Sequence, residues 1–264
     1  MNTTPAPSKE WLAVALACAA AFAATPALAE GPVTTTPYRP SVSTPAALSA
    51  PGWLEIETGI QSGRVDDLVR RRSLPYTLKL AFSADWGIRV GGDLRVSQSV
   101  GGNPDLSGPG DTSLVLKRRF GVDDDSAFGL ELGVKLPTAR TGLGTGHTDV
   151  GVAGIYSLDF ASNWHADVNY AITRIGGTGS GVGKLQSAWA AGLSLNLNDK
   201  WGLGTEISGT RQRGNERTQL ALAAASYAVT RGLTWDLGIS KGLNSASGGW
   251  SAFTGVTFLA VRLF

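Results

Sequence analysis

The chain has 264 residues, 35 of them glycine, one cysteine and a formal net charge of +2. A balance this close to zero, with neither half a basic block, gives no reason to expect a nucleic-acid partner. A lone cysteine excludes an internal disulfide framework, and no apolar run is long enough for a membrane-spanning helix.

At the amino terminus, Trp11 to Ala24 form a short apolar core behind Lys9, followed by Thr25, Pro26, Ala27, Leu28 and Ala29. The Ala27-x-Ala29 pair fits a signal-peptidase site, so residues 1–29 are expected to be an export signal cleaved between Ala29 and Glu30. Cys18 sits inside that core, and Ala15-Leu16-Ala17 before it is a poor lipobox. The mature chain is therefore expected to carry no thiol. Residues 30–52 are rich in proline, threonine and serine and lack periodicity. They read as a periplasmic leader, and two placements stand open: a disordered linker, or a segment folded back into a pore.

From Trp53 to Phe264 the apolar period is two almost throughout, the mark of strands with one apolar and one polar face. Leu54, Ile56 and Ile60 oppose Glu55, Glu57 and Gln61. Tyr76, Leu78, Leu80 and Phe82 oppose Thr77 and Lys79. In the third segment Ile88, Val90, Leu94 and Val96 oppose Arg89, Asp93 and Arg95. Leu114, Leu116 and Phe120 then oppose Lys117 and Arg119, and Phe128 to Leu136 set Glu131 and Lys135 on the polar side. Asp149 opposes Val150, Val152 and Tyr156; His165, Asp167 and Asn169 oppose Val168, Tyr170 and Ile172. Trp189 to Leu197 and Leu203 to Ile207 follow, the latter with Glu206 on its polar face. The alanine-rich segment at 218–229 has no clear phase. Asp236 opposes Trp235 and Leu237, and residues 255–264 (GVTFLAVRLF) alternate to the last residue.

These are twelve segments, most of about 9–11 residues, the length a tilted strand needs to cross a bilayer. Their connections alternate short and long, and aromatics flank the short turns, as in membrane barrels. The expected fold is all-β: one transmembrane antiparallel barrel over residues 53–264. Phe264 on an amphipathic last strand resembles the sorting signal of bacterial outer-membrane barrels. The expected location is thus the outer membrane, with the barrel-assembly machinery, membrane lipid and lipopolysaccharide as partners. A charge on the lipid side would cost about 2–4 kcal/mol at the midplane. That places Lys79, Arg89, Asp93, Arg95, Lys117, Arg119, Glu131, Lys135, Asp149, Asp167, Glu206 and Asp236 inside. There they either line a narrow aqueous path or pair across a filled interior. The cations of strands two to four suggest a preference for anionic solutes.

No catalytic set stands out. The two histidines, His147 and His165, lack a serine motif of the Gly-x-Ser-x-Gly kind, so no enzyme activity is expected. Residues 176–184 fail the spacing of a phosphate-binding loop. Asp123, Asp124 and Asp125 read as a solvated turn rather than a metal site, and Arg70, Arg71 and Arg72 as a solvated loop, the alternative being contact with lipopolysaccharide phosphates. No cofactor is implied.

Residues 38–45 (YRPSVSTP), 50–59 (APGWLEIETG) and 74–82 (LPYTLKLAF) are similar to segments of a known family. So are 110–120 (GDTSLVLKRRF), 128–139 (FGLELGVKLPTA) and 142–149 (GLGTGHTD). The chain resembles the outer-membrane β-barrels of the MetA-pathway of phenol degradation family. The resemblance implies an outer-membrane channel for small, aromatic compounds and supplies no catalytic residues. The competing expectation is a closed structural or surface-interaction barrel.

Overall fold

The computed structural model describes residues 33–65, 69–101 and 106–264. The expected export signal and its cleavage point lie outside the described residues.

Alternating sequence becomes strand from end to end. The elements are β1 (Trp53–Arg64), β2 (Val69–Ala81), β3 (Trp86–Val100), β4 (Leu106–Gly108), β5 (Thr112–Gly121), β6 (Ser126–Leu136) and β7 (Asp149–Phe160). After them come β8 (Trp164–Arg174), β9 (Leu185–Asn196), β10 (Trp201–Gln212), β11 (Thr218–Thr230), β12 (Leu233–Gly242) and β13 (Trp250–Arg262). Successive long strands pair antiparallel. β1 also pairs with β13, and β2 with β3, so the sheet closes on itself and leaves no edge. The three-residue β4 pairs only with the far end of β3, so the wall is a twelve-stranded barrel as the sequence indicated.

Trp53 and Arg262 pair at one end, which also carries the tight connections at 82–85, 122–125, 161–163, 197–200 and 231–232. The opposite end carries the long connections at 101–111, 137–148, 175–184, 213–217 and 243–249. We call these the turn end and the loop end.

Burial is inverted relative to a soluble domain. The largest fully buried side chains include Glu55, Glu57 and Asp236, whereas Leu132 and Val168 are each 54% exposed on the outside. A water-soluble protein does not normally bury charge while ringing itself with large apolar groups. A barrel facing lipid does. Aromatic rings gather near the turn end on the same outer face. Phe128 and Tyr156 lie 4.8 Å apart, as do Trp201 and Tyr227, and Arg118 covers the rings of Trp86 and Phe120.

A break in strict alternation and an early strand start correct the sequence reading. Leu74 pairs with Arg95 but Pro75 pairs with Asp93, so Leu94 is an extra residue on β3. Pro75 has no N–H to give the ladder, and a bulge opposite it accommodates the loss. Beyond the bulge the parity flips. Arg95 therefore faces outward and is exposed, while Val96 points inward and is fully buried. β2 also begins earlier than expected, so Arg70, Arg71 and Arg72 lie on the strand and not in a loop. In β11 the phase is now defined. Leu222 faces Glu206 on the inside, and Tyr227 faces Trp201 on the outside.

Candidate functional site

Residues 33–51 fold back into the barrel, the second of the two placements left open by the sequence. The leader has no regular secondary structure apart from a bridge between Pro51 and Ala81, so its backbone polar groups need partners elsewhere. The inward side chains provide them. Thr36 N and Tyr38 N donate to Glu55 Oε2 (2.9 Å) and Glu57 Oε1 (2.7 Å). Val42 N and Ser43 N donate to the two oxygens of Glu206 (3.2 and 2.7 Å), and Ser43 Oγ adds a third bond at 2.6 Å. Thr44 exchanges two hydrogen bonds with the Asn169 amide, and Ala46 N donates to Ser157 Oγ at 2.7 Å. The leader thus touches β1, β10, β8 and β7 in turn before leading into β1 through Gly52. That glycine has φ +79°, and a Cβ there would lie 2.3 Å from the Phe264 carbonyl oxygen.

Cations complete the plug. Lys79 Nζ contacts Glu57 Oε1 and Glu55 Oε1, each at 2.5 Å. The Glu55 contact is an ion pair without hydrogen-bond alignment, since that oxygen has no hydrogen-bond partner. Lys79 also donates to Thr36 O. Lys117 donates to Tyr38 Oη (3.1 Å) and to Pro45 O, and lies 3.4 Å from Glu131, which Arg89 meets at 3.1 Å. The Tyr38 ring lies between Lys79 and Lys117, with their Nζ atoms 4.0 and 4.5 Å from its centroid. Burial pushes the Tyr38 phenol far above its ordinary range, so it stays protonated and donates to Ala47 O at 2.7 Å. Arg39 reaches Asp236 at 3.4 Å, its guanidinium lying against the directly opposed Gly59 and Gly255, where the inner face has no side chains. A Cβ on either glycine would fall under 3 Å from the guanidinium.

The sequence-selected residues therefore divide. Lys79, Arg89, Lys117, Glu131, Glu206 and Asp236 surround the plug. Lys135 and Asp149 pair at 2.7 Å toward the loop end, with Asp111 3.5 Å from Lys135. Asp93 pairs there with Arg71 at 3.4 Å. Arg119, on the inward parity of Lys117, lies near the turn end, as does Asp167; Arg95 lies outside. Glu55 and Glu57 were on the polar face in sequence but were not singled out. Their signal was the Glu-x-Glu spacing beside an unpaired Lys79 on the next strand. The cations proposed to favour anions are largely neutralised: Lys79, Arg89 and Lys117 all have carboxylate partners.

Between the plug and the loop end lies a cavity of about 280 Å³, lined by Val115, Glu131, Lys135, Asp149, Thr173 and Gln186 among others. Among the described residues no arrangement resembles a hydrolase. His165 is held by Asp159 through Nδ1 (2.6 Å) and by Asp167 through Nε2 (3.1 Å), so neither nitrogen is free to activate Ser157. Ser157 instead donates to Asp167. His147 lies in a loop at the other end. Asp123 accepts from Ser126 Oγ and Asp125 N, which lowers its pKa and closes a turn. Gly176 N donates to Asp149, so the start of the 176–184 loop is tied to the wall. Among the described residues no cluster fits a metal ion.

No curated protein matches the chain. Among solved structures it is similar to an outer membrane channel from Pseudomonas putida F1, with TM-score 0.66, 14% identity, and coverage of 83% of this chain and 99% of that one. The NanC porin (TM-score 0.55, 11% identity, 78% and 98% coverage) shares the fold. So does the KdgM porin (0.53, 7% identity, 79% and 99%). At these identities the likeness concerns the barrel architecture alone. The sequence profile described as the MetA-pathway of phenol degradation matches residues 54–260, nearly the whole wall, and the chain belongs to that family.

Proposed function

We propose that the protein is a passive outer-membrane channel for small compounds, with its own leader as the gate. The carrying observation is the division of the lumen: a cavity toward the loop end that mixes apolar lining with Glu131, Lys135 and Asp149, and a transverse plug held by side-chain hydrogen bonds and ion pairs, not by a sheet. Such contacts can be exchanged for water, so the leader can withdraw without opening the wall. Pairing of the inward cations supports a path with weak charge preference. Small aromatic compounds, anionic or uncharged, are the solutes proposed, in keeping with the family description. Phe264 would direct insertion by the barrel-assembly machinery, and its deletion should lower the amount of protein in the outer membrane.

The test is entry of small aromatic acids, and of sugars of similar size, into liposomes holding the refolded chain or a variant lacking residues 33–50. Heat-dependent gel mobility checks that each barrel is folded. Entry through the full chain, faster in the variant, is expected. No entry of either solute through either folded protein would overturn the channel reading in favour of a closed structural barrel.

A further inference from the structure

The β2–β3 bulge and the early start of β2 leave a group of cations that the lumen does not use. Arg70 and Arg72 on β2, Arg64 on β1, Arg95 on β3 and Lys241 on β12 are all exposed and lie on the outward parity near the loop end. Arg64 is directly opposite Arg70, an arrangement that destabilises a sheet unless an anion lies between the two. None of the five has a carboxylate within ion-pair distance among the described residues. Asp66 and Asp67, in the connection between β1 and β2, lie outside them.

Beside this group the β12–β13 connection overhangs β1, with Gly249 N donating to Arg64 O at 3.0 Å. The overhang encloses a notch of about 880 Å³ lined by Arg64, Arg70, Arg72, Asn244 and Trp250, with Ile239 on the side of the apolar belt. Immediately toward the turn end, Ile60, Leu74 and Leu237 are exposed. Guanidinium groups over an apolar wall, with an indole at the boundary, suit a ligand with phosphates at one level and acyl chains below.

We propose that this notch binds the phosphorylated glucosamine headgroup of lipopolysaccharide in the outer leaflet. The proposal rests on the outer-membrane reading but not on transport, and a closed barrel would bind equally well. Free phosphate would satisfy the arginines alone and would not use the apolar rows beneath them. The glycolipid satisfies both.

The test is native mass spectrometry of the full chain in detergent, titrated with bis-phosphorylated lipid A, dephosphorylated lipid A or inorganic phosphate. Heat-dependent gel mobility confirms folding. Retention of lipid A should be at least about tenfold weaker in the combined variant Arg64→Gln, Arg70→Gln, Arg72→Gln. It should be unchanged in Arg118→Gln, whose arginine lies outward at the turn end. Dephosphorylated lipid A should bind the native chain as weakly as lipid A binds the triple variant. Equal binding of the two lipids, or an unaltered triple variant, would overturn the proposal. So would displacement of lipid A by an equimolar amount of inorganic phosphate.

Discussion

Replacing Glu206 by alanine should free the leader while leaving the barrel standing. Glu206 is 2% exposed and accepts from Val42 N, Ser43 N and Ser43 Oγ. Without the carboxylate, two main-chain N–H groups lose their partner inside the wall. Each such loss costs about 1–3 kcal/mol, so docking should weaken by about 2–6 kcal/mol. Even the lower figure raises the released fraction roughly thirtyfold. The wall should be spared, because Glu206 lies between Gly192 and Leu222 and makes its hydrogen bonds to the leader. Ser49, 3% exposed, is a suitable reporter as Ser49→Cys in a background with Cys18 replaced by serine. Maleimide labelling of the folded protein should be slow in that background and at least about thirtyfold faster with Glu206→Ala. An unchanged labelling rate, with the barrel intact by gel mobility, would show that the Glu206 bonds do not hold the leader.

Lys79→Met leaves Glu55 and Glu57 buried without their cation and should cost about 3–5 kcal/mol in urea denaturation, largely recovered by adding Glu55→Gln and Glu57→Gln. Lys135→Ala strands Asp149 and Asp111 at the loop end and should move the reversal potential of an open channel toward cation preference. Arg95→Ala, outside the wall, should leave it unmoved. Leu132→Arg on the lipid face should cost about 2–4 kcal/mol of stability in bilayers. Gly133→Ser, turned inward where a Cβ meets nothing closer than 3.6 Å, should be tolerated.

The wall was legible in the sequence because its signals repeat: period two, short turns alternating with long loops, and apolar residues on one parity. It failed where a single residue breaks the period. Pro75 was the visible sign that the β2–β3 ladder slips, but Leu94 and Val96 look like a continuous apolar face, so Arg95 was assigned inward. β11 was ambiguous for a different reason, since Leu222 inside and Ala221 and Ala223 outside give both faces the same character. The site was half legible. The inward charges follow from parity. Their partners do not, because the leader carries no periodicity and its contacts are with the backbone, whose hydrogen bonds leave no trace in residue type. Only Arg39 and the facing Gly59 and Gly255 hinted at it, and a glycine in a strand has many explanations.

The contacts of the leader also order the events of folding. Neighbouring strands of the wall are mostly joined through short connections, so their pairing closes small loops. Thr44 meets Asn169 across 125 residues, and Thr35 meets Thr234 across 199. These distant partners share one lumen only after β1 has found β13. The leader is thus expected to dock after closure, as the last and slowest step in assembly. A newly closed barrel would pass through an interval in which Glu55, Glu57 and Glu206 face water. Refolding followed at Ser49→Cys should then show protection arriving later than the gel-mobility shift. Simultaneous arrival would mean that the wall closes around a leader already in place.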